Sequence, residues 1–259
     1  MGKVLIITGG NKGIGQGICE AYKNNGYQVF SISRSQLLAD SSQNVNYIQF
    51  DLQQTKDVTA VLEEILMGLP KREMDSITLI NNAATTGPIR RFEETSSADI
   101  EKVISLNVVA PLMLTSGFIQ YTKGWNCRRH IINISSGAAI NPLAGISTYC
   151  VSKAAIDMLT KSIALEQAGN SGNFKIISVY PGLVDTDMQR DIRTSNSTHF
   201  PEVKTFREFK RNGDLAGKYD VGNEIYHIDH NVLVTNGSIL DLDVYRYSTQ
   251  KLHAVPSIT

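Results

Sequence analysis

Neither sign of charge is in surplus in this chain: 25 lysines and arginines face 25 aspartates and glutamates, a formal net charge of zero. No global field draws it to nucleic acid or to an anionic membrane, so any anion must be held locally. Cysteine is scarce too. Cys19, Cys127 and Cys150 are odd in number and scattered, which argues against a disulfide framework and fits reduced thiols in a cytoplasmic protein. The opening apolar run, Val4–Ile7, is far too short for a signal-peptide core or a membrane span. Met1-Gly2 resembles a myristoylation start, but Ile6 stands where that signal wants serine or threonine. The sole tryptophan, Trp125, is read as packing near Gly124, and no aromatic-basic interleaving points to single-stranded nucleic acid.

What is present reads as one large α/β domain. At 259 residues, with 42% hydrophobic and 19% charged content, the chain has the material for a real core. Short apolar runs alternate with longer amphipathic stretches, as successive β-α units on a parallel sheet require. The runs predict seven strands: Val4–Ile7, Gln28–Ser33, Tyr47–Phe50, Ile77–Ile80, His130–Ile134, Lys175–Val179 and Ser238–Leu242. Helices are expected near 14–24, 56–67, 98–120, 148–168 and 217–229, the third opened by the capping-box-like Ser96-x-x-Asp99. Residues 185–214 break the rhythm, being polar and interrupted by Pro201, with a short amphipathic patch at Val203, Phe206 and Phe209. That stretch is expected to be an insertion or lid.

Ser136, Tyr149 and Lys153 form the constellation that points to chemistry. A hydroxyl lies thirteen residues before a phenol, and an ammonium four residues after it, one helical turn on. An ammonium about 4 Å from the phenol, at an effective dielectric of about 20, contributes roughly 4 kcal/mol towards the phenolate. That is ample to lower a tyrosine whose ordinary pKa is about 10, so Lys153 is expected to tune Tyr149 as a general acid. Ser136 would hold the substrate oxygen and stabilise the charge developing on it. A second Tyr-x-x-x-Lys pair, Tyr247 and Lys251, has Val234 at the hydroxyl's position and lies in a polar tail.

A hydride source is prefigured at the start of the chain. Strand Val4–Ile7 runs into Thr8, Gly9, Gly10, Asn11, Lys12, Gly13, Ile14 and Gly15 and then a helix, the order in which backbone can approach a pyrophosphate. NAD-binding folds usually place an acid about 20 residues past these glycines to hold the ribose hydroxyls. No acid lies between Glu20 and Asp40; Ser33 and Arg34 hold the place instead. A guanidinium there would accept the 2′-phosphate that a carboxylate repels, and Lys12 adds a second cation, so NADP(H) is favoured over NAD(H).

With Asn81-Asn82-Ala83-Ala84, Asn107 and Pro181-Gly182 added to these motifs, the chain resembles the short-chain dehydrogenase/reductase family over nearly its whole length. The resemblance implies a single Rossmann-type, doubly wound domain spanning 1–259, in which Asp51 and Leu52 border the adenine and Asn82 and Ala83 line the cofactor. Of the segment Pro181, Gly182, Leu183, Val184, Asp185 and Thr186, the last would meet the nicotinamide carboxamide. Asn107 would support a proton relay through water to Lys153, whose ammonium would also touch the nicotinamide ribose. Ile134-Ser-Ser-Gly-Ala, Pro142-Leu-Ala-Gly and Pro181-Gly-Leu-Val-Asp-Thr-Asp-Met-Gln189 are similar to sepiapterin and benzil reductases. By that likeness Asp241 would anchor the substrate, with Asp243 as its rival. Family members generally associate through their long central helices, so a homodimer or homotetramer is implied.

Two other chemistries find less support in the residues. Glu224, His227, Asp229 and His230 cluster in the sequence, but Glu-x-x-His-x-x-His has no cysteine support and falls near a helix end, so no metal is expected. A hydrolase triad would want a glycine two places before its serine, which Ser136 does not have. The reading is an NADPH-dependent carbonyl reductase acting on a small 1,2-diketone, with a non-catalytic NADP-sensing protein as the alternative.

Overall fold

The computed structural model describes residues 2–35, 44–169 and 173–246. Its strands are β1 (Gly2–Thr8), β2 (Gln28–Ser33), β3 (Val45–Gln49), β4 (Met74–Asn81), β5 (Arg128–Ile134), β6 (Phe174–Tyr180) and β7 (Ile239–Asp241). They form one parallel seven-stranded sheet in the order β3-β2-β1-β4-β5-β6-β7. All seven expected strands are present, β2 with the expected bounds and the others with shifted ends; Phe50, for instance, falls outside β3.

A parallel sheet in which helices cross over both faces must be apolar on both, and successive residues supply alternate faces. Val4, Ile6, Ile77, Leu79, Ile131 and Ile176 enter one core with Leu62 of α2 (Val58–Met67) and Leu114 and Phe118 of α4 (Ala110–Tyr121). Leu5, Ile7, Ile80, Ile132 and Ile177 enter the other with Ile18 and Tyr22 of α1 (Gly13–Asn24) and Ile225 of α8 (Lys218–His230). Trp125 is buried in the first core, as its sequence context implies.

The expected helix 98–120 is not one regular helix. It comprises α3 (Ser97–Ile104), a π turn at Ser105–Val109, and α4. Ser96 caps α3: its hydroxyl accepts the Asp99 N–H at 3.1 Å and donates to the Asp99 carboxylate at 2.8 Å. By length and composition the run Ser97–Tyr121 could cross a bilayer, but half of that window is buried inside the fold. The long helix that follows β5 is α5 (Ser147–Glu166).

The polar stretch 185–214 is mostly helical, in α6 (Asp187–Thr194) and α7 (Val203–Asn212). Met188 and Ile192 put one apolar edge on α6, and Val203 and Phe206 do so for α7, with Phe200 fully buried between the two helices. These side chains pack with Ala138, Ile146, Tyr149 and Cys150 in a third cluster, so the insertion covers the segment that carries the phenol.

Toward the N-terminal ends of the strands, Asp229 of α8 is buried and accepts from Tyr22 at 2.8 Å, Thr78 at 3.1 Å, His130 at 2.7 Å and Arg128 at 3.3 Å. Burial pushes this carboxyl up, but the His130 hydrogen bond and the Arg128 charge outweigh it and hold it well below the usual carboxylate range. Glu224 is bound by Arg246 at 2.7 Å. Two members of the Glu224–His230 cluster, Glu224 and Asp229, are thus engaged in structural pairs. Tyr247 and Lys251 lie outside the described residues.

Helices α1 and α8 cross with backbone against backbone. A Cβ on Gly17 would stand 1.9 Å from the Lys218 carbonyl oxygen, and one on Gly222 would stand 2.2 Å from the Gly17 carbonyl carbon. Both contacts are with backbone, so neither side can yield cheaply. Gly222→Ala is therefore expected to cost about 1–3 kcal/mol of overpacking. In a chain of this size that is roughly a 2–12 °C fall in thermal midpoint, read by scanning calorimetry, and an unchanged midpoint would refute the close-contact account.

Candidate active site

A cleft of about 880 Å³ opens at the carboxyl ends of the strands, where β1 lies between β2 and β4 and the chain order reverses. Open α/β sheets bind ligands at such switch points. Its wall contains the glycine loop, Arg34, Leu52, Asn82, Ala83, Ser136, Tyr149, Lys153, the Pro181–Thr186 turn, Asp241 and Asp243.

The loop is tied to the sheet before any ligand enters. Thr8 Oγ1 accepts the backbone N–H groups of Asn82 and Ala83, each at 3.0 Å, while the Asn82 amide donates to the carbonyls of Thr8 and Gly9 at 2.9 and 3.1 Å. A Cβ on Gly15 would lie 2.2 Å from the Gly9 carbonyl oxygen, so only glycine lets α1 start this close to β1. The first turn of α1 has no acidic residue, and its N-cap Lys12 makes no side-chain cap. Its leading N–H groups remain for an anion, and this donor set fits a dinucleotide pyrophosphate.

Arg34 lines the same cleft and makes no ion pair with a described residue. Lys12 differs from expectation, because its ammonium is paired with Asp187 of α6 at 3.0 Å. Asp51 is also diverted. Its carboxylate accepts the Gln53 N–H at 3.0 Å and closes a turn, leaving Phe50, Leu52 and Gln53 in the wall.

Ser136, Tyr149 and Lys153 are brought together at the cleft. Ser136 Oγ caps a short turn by accepting the Ala138 N–H at 3.1 Å, and both it and Tyr149 line the cleft. The direction expected for the phenol is reversed: burial pushes Tyr149 up to about 12, and the nearby Ser136 hydroxyl opposes that only in part. The reason is where the lysine goes. Helical spacing brings the Cβ atoms of Tyr149 and Lys153 together, but the ammonium lies 5.5 Å from the ring centroid and donates to the Ile134 carbonyl at 2.7 Å. Burial lowers Lys153 to about 8, against a raising influence from Asp157.

Asn107 sits in the π turn, behind the cleft wall. Its Oδ1 accepts the Thr85 N–H at 2.9 Å, and its amide donates to the Thr85 carbonyl at 2.8 Å and to Ser152 Oγ at 3.0 Å. Both amide hydrogens are spent, so its side chain braces the 85 turn against α5. Asp241 accepts the Asp243 N–H at 2.9 Å, and Asp243 is held by Arg246 at 2.6 Å. Phe206, of the expected amphipathic patch, also forms the wall, as do Tyr180, Met188, Gln189 and Ile192, which the sequence alone does not mark as site residues. The signal for Met188 and Ile192 was their spacing of four in an otherwise polar run. Tyr180 donates to Asp157, a buried carboxylate whose other oxygen has no partner.

The buried lysine has a thermodynamic signature. Its folded pKa, about 8, lies below the ordinary 10.5, so the unfolded chain binds more protons between those values and stability rises with pH there. Wild type is expected to gain thermal stability relative to Lys153→Met from about pH 8 to pH 10, read as the difference in their denaturation midpoints. A difference that stays flat or widens in the other direction would contradict burial of the ammonium.

Comparison with known proteins agrees with this geometry. A family model described as short chain dehydrogenase matches residues 3–197. A benzil reductase, (S)-benzoin forming, from Bacillus cereus is 32% identical over 247 residues, spanning 93% of this chain and 99% of that protein. Sepiapterin reductase from Bos taurus is 34% identical over 156 residues, 58% of this chain and 56% of that one. The structure of ElxO with NADP bound aligns with a TM-score of 0.76 at 26% identity, covering 93% of this chain and 97% of that one. The chain belongs to the short-chain dehydrogenase family and is an oxidoreductase acting on carbonyl or alcohol groups.

Proposed function

We propose that this protein is an NADPH-dependent carbonyl reductase whose substrates are compact 1,2-dicarbonyl compounds, of the benzil or sepiapterin kind. The observation that carries the reading is that Ser136, Tyr149 and Lys153 converge in the wall of the cleft that the glycine loop also lines. Reduced nicotinamide dinucleotide, when bound, supplies a hydride to the ketone carbon. Ser136 holds the reacting oxygen. At about 12 the Tyr149 phenol is fully protonated at neutral pH and has a proton to give. The oxygen that gains negative charge becomes an alkoxide, a stronger base than the phenolate, and takes that proton. The Lys153 ammonium, over the ring, favours the phenolate left behind.

Arg34 accounts for the preference for a 2′-phosphate, since it lies at the end of β2 with no described carboxylate to neutralise it. Leu52, Asn82, Ala83, Gly182, Val184 and Thr186 are assigned to the dinucleotide, Asn107 to bracing the proton path, and Asp241 to the far end of the substrate. The relatives support the substrate class: a benzil reductase covers nearly the full chain, and a sepiapterin reductase covers more than half. A dimer or tetramer is proposed as well, on the exposed Leu112 of α4 and the Val151, Met158 and Leu165 stripe of α5. A cytoplasmic setting completes the reading, with Cys19, Cys127 and Cys150 all unpaired.

Consumption of NADPH absorbance with benzil or sepiapterin tests the reaction. Tyr149→Phe is expected to lower kcat by about 100- to 10,000-fold, the contribution of a positioned general acid. Wild type that binds NADPH yet turns over none of a broad ketone panel would replace the reductase with a dinucleotide-sensing protein. For the coenzyme, Arg34→Asp should weaken NADPH binding at least about tenfold more than NADH binding in a titration, because a charge-assisted contact is exchanged for a repulsion. Equal losses would contradict the assignment of Arg34.

A further inference from the structure

We infer that the side-chain amide of Gln189 donates a hydrogen bond to the second carbonyl oxygen of a 1,2-dicarbonyl substrate and so selects such substrates over simple ketones. This rests on the reductase reading above and names the group that reads the substrate class. Gln189 is 6% exposed, lines the cleft, and its Nε2 is buried without a hydrogen-bond partner. Buried donors are normally paired, and one without a partner on a residue of the cleft wall calls for an explanation, which a ligand oxygen supplies.

The orientation of the amide is fixed by chemistry. Arg193 Nη1 donates to Gln189 Oε1. A guanidinium has only donors, so the amide cannot flip without setting N–H against N–H, and the nitrogen must be the free end. Arg193 is held in turn by Asp185 at 3.5 Å, and its backbone carbonyl takes a bond from Arg207 Nε at 2.8 Å. The backbone N–H of Gln189 goes to Thr186 Oγ1 at 3.3 Å.

The donor and the reacting pair come from different elements, Gln189 from α6 and Ser136 and Tyr149 from the β5–α5 segment. On this inference a ligand with two adjacent oxygens pairs with both, one at the hydroxyl pair and one at the amide. A monoketone satisfies the hydroxyl pair and leaves Nε2 unpaired. The carboxylates of Asp241 and Asp243 in the same cleft accept and do not donate, so they repel a carbonyl oxygen.

The test compares benzil with deoxybenzoin, which has one of the two carbonyls replaced by a methylene. Gln189→Glu keeps an oxygen for Arg193 and replaces the donor by an acceptor; Gln189→Met removes both functions. Both variants are expected to lower kcat/KM for benzil by about 5- to 100-fold, through KM, and to lose several times less on deoxybenzoin. Affinity for benzoin in the NADP-loaded protein, measured by calorimetry, should fall by a similar factor. Equal losses on the two ketones, no loss on benzil, or a loss of NADPH affinity in place of benzil affinity would overturn the assignment. If wild type reduces neither ketone, the reductase reading fails by itself. Benzoin binding then decides on the amide: wild-type affinity in Gln189→Glu overturns the inference, and a fall upholds it.

Discussion

A parallel sheet covered by helices on both faces delivers every strand's carboxyl end to the same edge, and the site follows from that constraint. Thr8 ends β1, Asn81 ends β4, Ile134 ends β5 and Tyr180 ends β6. The residues just beyond them, in the glycine loop and at Asn82, Ser136 and Pro181, stand in the cleft wall together with the strand ends Ile134 and Tyr180. Buried polar pairs hold these ends in register. Thr8 and Asn82 bind each other's chain, and Asn81, Asn133, Thr160 and Ser178 form a ladder beneath, with contacts of 2.8 Å at each step. Such networks are satisfied only in one arrangement, which is what a site built on four separate strands requires.

The insertion shapes the electrostatics as much as the volume. Met188, Ile192, Phe200 and Val203 pack on Ala138, Ile146 and Tyr149, and that apolar cover excludes water from the phenol. The same burial lowers the lysine one turn away. A phenol driven up to about 12 and an ammonium driven down to about 8 move apart in proton affinity, so the phenol is the group that holds its proton until the substrate oxygen takes it.

The sheet was legible in the sequence because each central strand must be apolar on both faces, leaving unbroken Val- and Ile-rich runs. The glycine loop and the Ser136–Tyr149–Lys153 spacing were legible because chain geometry admits few alternatives at those positions. Other features were not. The π turn at Ser105–Val109 leaves no mark on a 3.6-residue hydrophobic pattern, since it adds a single residue to an otherwise continuous apolar face. Helix α6 was hidden by its polarity, for its stability comes from the cluster it joins. Spacing also misled on Lys153: a separation of four fixes where the Cβ atoms lie, whereas a four-carbon stem carries the ammonium to the Ile134 carbonyl. Lys12 shows the same limit, because its partner Asp187 is 175 residues away in the chain.

That last pairing joins two parts of the molecule that would otherwise be independent. Lys12 begins the first crossover helix and Asp187 begins α6, so one exposed ion pair clasps the phosphate loop to the cover over the phenol. A clasp this exposed is weak and yields to ionic strength. Any polyanion that attracts Lys12 releases Asp187 to Arg190, its neighbour at 3.0 Å. Reciprocity of coupled equilibria then limits what the cover and the loop can do to one another through this clasp to the small energy of the pair itself.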